Sequence, residues 1–334
     1  MIEEQRSLSP MVSFVLTKHL ACAALALVLL SAMVWLPALF ASIPILALLF
    51  GFVAVALHML TPALFALIFM GGGMRYTLQV SAIVAFAVIA LSGFNVLLGL
   101  MVGLFYCVLP ALAANSLRLM GGVSRSASQL ALGMFIAVMA ALLMASQSQG
   151  LSLQGLVDQL LAPMFDVMQS GGVQAGVNQL DAKDLQRTQA LLGWIMPGLM
   201  AFSLWLVWWF NVLLARKVAM RYGFYTGDTG TFLQLRFGKP IGYALMLSLI
   251  LANVDAGSVQ YIAISLALML AGALSVQGIA VAHVWLKARD MKMAIAMMYV
   301  LLFIWFMMVI PFIILGMLDI WFDYRRNENP TLGG

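Results

Sequence analysis

Residues 76–113 read YTLQVSAIVAFAVIALSGFNVLLGLMVGLFYCVLPALA, a stretch without one formal charge. It holds two apolar runs, 76–92 and 94–113, each close to the roughly 20 residues that a helix needs to cross about 30 Å of hydrocarbon. Outward from it, no Asp or Glu occurs between Glu4 and Asp158, and the only full charges in that interval are Arg6, Lys18, Arg75, Arg118 and Arg125. A soluble domain of that length would carry far more surface charge. The interval also lacks the carboxylates that most metal, proton-coupled and acid/base sites use. It belongs in lipid.

The whole chain has the same character: 334 residues, 64% hydrophobic and 9% charged, with a mean hydropathy of +1.05. Inside lipid, backbone polar groups are satisfied by helices or closed barrels only, and these runs are too long and continuous for barrel strands. The sequence predicts an all-α, polytopic transmembrane helix bundle. Polar, Pro and Gly interruptions place spans at 19–41, 43–70, 76–92, 94–113, 127–146, 188–214, 240–253, 258–285 and 294–318, about nine crossings within a range of eight to ten. Pro62 breaks the second, and the seventh is short. Three parts follow: an N-terminal five-span half, 1–146; an extracytoplasmic amphipathic-helix loop, 147–187; and a C-terminal half, 188–334, with a basic cytoplasmic loop at 215–239.

Positive loops are retained in the cytoplasm. Nine crossings with a cytoplasmic N-terminus put Arg6, Lys18, Arg75, Arg118, Arg125, Arg216, Lys217, Arg221, Arg236, Lys239, Lys287, Arg289 and Lys292 inside, and only Lys183, Arg187, Arg325 and Arg326 outside. Arg325 and Arg326 go against the rule, and Pro311 offers a point where the last segment could turn back. The expected location is the bacterial cytoplasmic (inner) membrane. Basic loops over anionic lipid account for the net charge of +5, so no nucleic-acid partner is implied. Cys22 and Cys107 fall inside spans, where a thiol is a small packing residue, and no Cys/His spacing suggests a metal or other cofactor. Glu3 and Glu4 spoil a basic leader, so the first apolar run reads as a retained helix.

In the 147–187 loop, Leu153, Leu156, Val157, Leu160, Leu161, Met164, Phe165 and Met168 recur at helical spacing, with Gln154, Asp158, Gln159 and Asp166 on other faces. This predicts an amphipathic helix bent near Pro163, lying on the outer interface and ended by Gly171 and Gly172. Asp181 and Asp184 stand at N-cap and N3 spacing for the next helix. The 215–239 loop interleaves bases with aromatics: Arg216, Lys217, Arg221, Tyr222, Phe224, Tyr225, Phe232, Arg236 and Phe237. Anchoring to membrane lipids explains that pattern, and docking of a protein partner would use the same residues.

Intramembrane polar residues are costly and are the default candidates for function. Here they are His58, Asn95, Asn211, Gln277 and His283. Each also has a structural reading: the Asn and Gln side chains as interhelical hydrogen-bond glue, His58 as a donor to carbonyls freed by the Pro62 kink, and His283 as an interfacial residue. Asp319 and Asp323, one turn apart beside Arg325 and Arg326, read as ordinary pairing at a helix end, whose substitution by Asn should be harmless. Gly99-Leu-Met-Val-Gly103 and the pair Ala271 and Ser275 are small-xxx-small packing faces. Phe69-Met-Gly-Gly-Gly-Met-Arg75 and Leu119-Met-Gly-Gly-Val-Ser-Arg125 form a faint internal repeat.

In the last third, Gln277-Gly-Ile-Ala-Val-Ala-His283, a basic turn, a long apolar span and Ile314-Leu-Gly-Met-Leu-Asp319 run into Trp321-Phe-Asp-Tyr-Arg325. Pro197-Gly198, Asn211-Val-Leu-Leu-Ala-Arg216 and the segment from Phe232 to Pro240 complete the pattern. Over 188–326 this resembles the YybS-like family of bacterial multipass membrane proteins. The N-terminal part is distantly similar to the substrate-binding subunits of energy-coupling-factor vitamin transporters. Those subunits commonly dock an energising subunit through Ala-x-x-x-Ala on the first helix, where this chain has Cys22-x-x-x-Ala26. The resemblance carries no residue role.

Two functions fit. One is a permease or substrate-binding transport component for a neutral or amphiphilic small molecule, such as a lipid, with the five intramembrane polar residues as contacts in an apolar cavity. The other is a non-catalytic scaffold or biogenesis factor that docks a cytoplasmic or membrane partner. No phosphate loop, nucleophile motif or metal cluster points to an enzyme.

Overall fold

The computed structural model describes residues 10–119, 121–174, 182–255 and 257–325, and every regular element among them is a helix. In chain order these are α1 (Pro10–Thr17), α2 (His19–Ala38), α3 (Pro44–Met59), α4 (Thr61–Leu91), α5 (Val96–Val102), α6 (Leu109–Arg118), α7 (Gly122–Gln149), α8 (Leu153–Gln174), α9 (Ala182–Arg221), α10 (Lys239–Leu251), α11 (Ser258–Ala288), α12 (Lys292–Ile304) and α13 (Val309–Phe322). A π-helical stretch, Gly103–Val108, joins α5 to α6. The chain is a polytopic helical membrane protein.

Six helical stretches are long and apolar enough to cross a membrane: His19–Ala38, Pro44–Leu91, Val96–Arg118, Gly122–Gln149, Gln186–Arg221 and Ser258–Ala288. Counting α12 and α13 as one bent span makes seven. The nine segments expected from sequence all recur as helix, and three features lower the count. The second and third form one 48-residue stretch. At 1.5 Å per residue that is about 72 Å, enough for two crossings, and Gly73 breaks its helical geometry where the sequence divides it (φ 74°, ψ −174°). Helix α10, with 13 residues, is shorter than a full crossing. Helices α12 and α13 meet at 119°, after Trp305 takes an extended conformation. Pro311 has no N–H to donate, which suits the first turn of the new helix.

The chain divides into two compact units, residues 1–134 with 204–230 and residues 135–203 with 231–334. In the first, Cys22, Ala23, Ala26, Leu64, Phe65, Ile68, Val80, Val84 and Cys107 form a core in which small residues on α2 let α4 approach. The Gly99/Gly103 face packs on α4: a Cβ at Gly99 would collide with Ile89, and one at Gly103 would touch Ala85. Trp205, fully buried and stacked on Trp209, donates from its indole to the Ala127 carbonyl (2.9 Å).

In the second unit, α11 and α13 touch backbone to backbone. A Cβ at Gly278 would run into the Phe312 carbonyl, and one at Gly316 into the Leu274 carbonyl. Helix α8 buries Leu153, Leu156, Val157, Leu161 and Phe165, while Leu160 and Met164, expected on the same face, are exposed. Pro163 lies inside this helix, as expected, but Gly171 and Gly172 do not end it: it continues to Gln174. The capping expected of Asp181 and Asp184 and the packing expected of Met168 fall outside the described side chains, as do Arg6, Lys183 and Arg326.

Candidate functional site

In the first unit the break between α3 and α4 sets the polar geometry. Pro62 has no amide hydrogen, and the Ala63 amide, which a continuous helix would give to Met59, donates to the Leu60 carbonyl instead (3.0 Å). The Met59 carbonyl is thereby freed, and Asn211 Nδ2 donates to it at 2.8 Å while also reaching Val207 O at 2.9 Å. His58, half-buried just before the break, pairs its Nδ1 with the Leu30 carbonyl (2.9 Å) and its Nε2 with the Tyr106 hydroxyl (2.5 Å). Tyr106 lies in the π-helical stretch, beside Trp208, whose indole donates to Phe105 O (2.5 Å). Sequence marked His58 and Asn211; Tyr106 and Trp208 were missed because aromatics in an apolar run carry no signal of their own.

The other three polar candidates are also engaged within the protein. Asn95 caps α5, accepting from the Leu98 amide (3.0 Å). His283 Nδ1 stands 3.0 Å from the Tyr299 hydroxyl. Gln277, wholly buried, accepts from the Phe237 amide through Oε1 and donates to Asp319 Oδ2 through Nε2, both at 2.7 Å. Each of the five thus has a partner within its own unit: Asn95 at a helix end, His58 and Asn211 beside the α3–α4 break, Gln277 at the loop and His283 between α11 and α12.

Residues 222–238, between α9 and α10, contain only one short helical turn, Phe232–Gln234, and two polar clasps hold them. In the first unit Asp228 does most of the work. Its carboxylate accepts from the amides of Val123 (3.0 Å) and Gly230 (2.9 Å), its own amide donates to Leu117 O (3.1 Å), and its carbonyl accepts from Tyr225 (2.8 Å) and Arg216 (3.3 Å). Arg216 is 8% exposed and points inward, unlike the exposed Lys217 and Arg221. Burial pushes the Tyr225 phenol up to about 12, with Arg216 opposing and Asp228 adding to the rise.

In the second unit, Arg325 donates to the Leu233 (2.6 Å) and Leu235 (2.8 Å) carbonyls and pairs with Asp319 (2.7 Å), whose side chain is fully buried. The Tyr324 amide closes on the other Asp319 oxygen (3.2 Å), and Arg236 pairs with Asp323 (2.6 Å). This revises two expectations. Asp319 does pair with Arg325, but as a fully buried group bridged to Gln277, so its substitution by Asn is no longer expected to be harmless; and Arg325 lies against the loop containing Arg236, so it shares the side of that loop.

Beside the first clasp lies an apolar groove of about 300 Å³, lined by Leu16, Thr17, Leu67, Ile68, Gly71, Gly72, Tyr76 and Phe224. Phe224 stands over Gly71, where a Cβ would meet its ring at 3.5 Å. Tyr76 donates to Leu16 O (2.7 Å), fixing the end of α1. Both copies of the faint repeat thus meet the loop, Gly71 at Phe224 and Val123 at Asp228. The small face Cys22/Ala26 is wholly buried in the core of this unit. Among the described residues no group of three or more His, Cys, Asp or Glu could hold a metal ion.

Comparison with known proteins places residues 38–320, most of the chain, in the family described as Predicted membrane protein (DUF2232). No curated protein and no solved structure matches.

Proposed function

We propose, of a chain that belongs to the DUF2232 family of predicted membrane proteins, that it is a non-catalytic component of the bacterial cytoplasmic membrane whose 215–239 loop docks a partner protein. The observation that carries this reading is the way the loop is held. Loops normally stay mobile because ordering costs roughly 1–2 kcal/mol per residue. Here Arg216, Tyr225 and Asp228 in one unit bond its backbone, as do Gln277 and Arg325 in the other, both held by the buried Asp319. A loop that is already ordered loses little on binding, which is the general advantage of preorganisation. In the first unit the loop leaves Lys217 and Arg221 exposed, and in the second Phe232 is exposed while Arg236 is paired with Asp323. The exposed pair Lys217 and Arg221 suits an acidic patch on a cytoplasmic partner.

The engagement of His58, Asn95, Asn211, Gln277 and His283 within the protein argues against a polar-solute permease built on them. Burial of Cys22 and Ala26 also removes the surface through which an energising subunit would dock, so the likeness to energy-coupling-factor subunits gives no support to ATPase-coupled import. The YybS-like resemblance over 188–326 includes both loop ends and is compatible with docking.

The test is a photo-crosslinker at the exposed Thr226 in intact cells, compared with the same protein carrying Lys217→Glu and Arg221→Glu. The expected result is a protein adduct of reproducible mass that the charge reversal removes at unchanged membrane levels. Adducts to lipid alone, or an adduct indifferent to the reversal, would overturn the docking reading.

A further inference from the structure

The groove beside the Gly71–Gly73 break is built by four separate parts of the chain: the end of α1, the first half of α4, Tyr76 beyond the kink, and Phe224 from the loop. At about 300 Å³ it lies at the lower end of the range in which proteins hold small molecules. Its two polar wall groups are turned to the protein itself, the Tyr76 hydroxyl donating to Leu16 O and the Thr17 hydroxyl to Ser13 O (2.8 Å). An occupant is therefore held by apolar contact, which selects hydrocarbon over a sugar, a nucleotide or an extended peptide with its own unpaired amides.

Charge defines the other end of that occupant. Lys18 follows the lining residue Thr17 and Arg75 precedes the lining residue Tyr76, and both are exposed. Among the described residues of this unit, Asp228 is the only carboxylate, and its oxygens already accept from two amides. Among the described residues of the unit no other carboxylate stands against the two cations, so the surroundings of the groove favour an anion. Hydrocarbon on one side and a negative headgroup on the other describe an anionic amphiphile.

We propose that this groove holds an acyl chain of an anionic phospholipid from the surrounding leaflet, with Lys18 and Arg75 at the headgroup. Glycine at position 71 makes the space: a Cβ there meets only the Phe224 ring, at ordinary contact distance, so a larger side chain would extend into the groove. The groove shares Phe224 with the 215–239 loop but includes neither Lys217 nor Arg221, so the charge reversal that tests docking leaves its lining unchanged.

The test uses the full chain in nanodiscs of phosphatidylcholine doped with phosphatidylglycerol, followed by gentle release and native mass spectrometry. Wild type should retain one phosphatidylglycerol in preference to phosphatidylcholine. Each of Lys18→Gln and Arg75→Gln should lower that preference about fivefold, the effect expected of one basic residue at an anionic surface. Gly71→Leu should reduce retention of both lipids. If Gly71→Leu does not fold, Phe224→Trp provides a second readout: the emission it adds over wild type should be quenched more by brominated phosphatidylglycerol than by brominated phosphatidylcholine. Equal retention of the two lipids by wild type, a retained mass matching a free fatty acid or a peptide, or equal quenching by the two brominated lipids would each overturn the proposal.

Discussion

Arg325 and Asp319 form a 2.7 Å ion pair whose carboxylate is fully buried and whose guanidinium is 11% exposed, and that burial decides what a substitution does. Removing one partner strands the other charge away from water, at a cost of about 3–5 kcal/mol, whereas an exposed pair contributes little. Arg325→Ala should lower the thermal midpoint in detergent and open the 231–237 segment to protease, while Arg236→Ala, which breaks a half-exposed pair with Asp323, should barely change either. Tyr225 gives a pH signature. Burial lifts its phenol from 10 to about 12, so the folded state binds the proton more tightly than the unfolded chain. Its contribution is fully present below about pH 10 and is lost as pH rises towards 12. Limited proteolysis of the loop should accelerate over that window, and Tyr225→Phe should remove the part of the acceleration that comes from this phenol.

The contact between α11 and α13 depends on glycine at two positions. Close approach through small residues is the usual basis of helix association in lipid, where the hydrophobic effect no longer drives helices together. At Gly316 the obstacle to any side chain is the Leu274 backbone, which cannot rotate out of the way as a rotamer can. Gly316→Ala should therefore cost at least about 1–3 kcal/mol, the scale of overpacking. Gly103→Ala, where a Cβ would sit 3.8 Å from Ala85, should be tolerated. Thermal unfolding of the two variants side by side distinguishes a crowded helix pair from general sensitivity to glycine loss. The Gly99/Gly103 motif was legible in sequence because both residues lie on one helix. Gly278 and Gly316 form no motif, since the chain brings them together from helices 38 residues apart, and only the structure pairs them.

For the molecule as a whole, apolar length and the sparse charges gave the helices and their approximate limits, since both are local properties. The bend after Trp305 was not local: hydropathy runs across it, and Pro311 was the sole mark that a helix restarts. Its consequence is that Arg325 returns to the loop near Leu233. A fluorescent protein fused after residue 325 should therefore report the cytoplasm if loop 215–239 is cytoplasmic, and an alkaline phosphatase fused there should be inactive; the reverse pattern would contradict the clasp. The polar residues were legible as unusual but not in their roles. No sequence rule could pair Asn211 with a carbonyl 152 positions earlier, or Gln277 with an aspartate 42 positions later.

The second clasp also sets a schedule. Leu235 precedes the arginine that holds it by 90 residues. At a synthesis rate of about 5–20 residues per second, the loop exists for roughly 5–18 s before its fastener leaves the ribosome. During that interval α10 to α13 are made; Phe237 can engage Gln277 once α11 is out, but the Leu233 and Leu235 carbonyls still lack their arginine and stay open to chaperones and membrane proteases. A nascent chain stopped just short of Asp319 would carry most of the described apolar helices yet lack both members of the Asp319–Arg325 pair, so formation of this clasp reports that synthesis has passed residue 325.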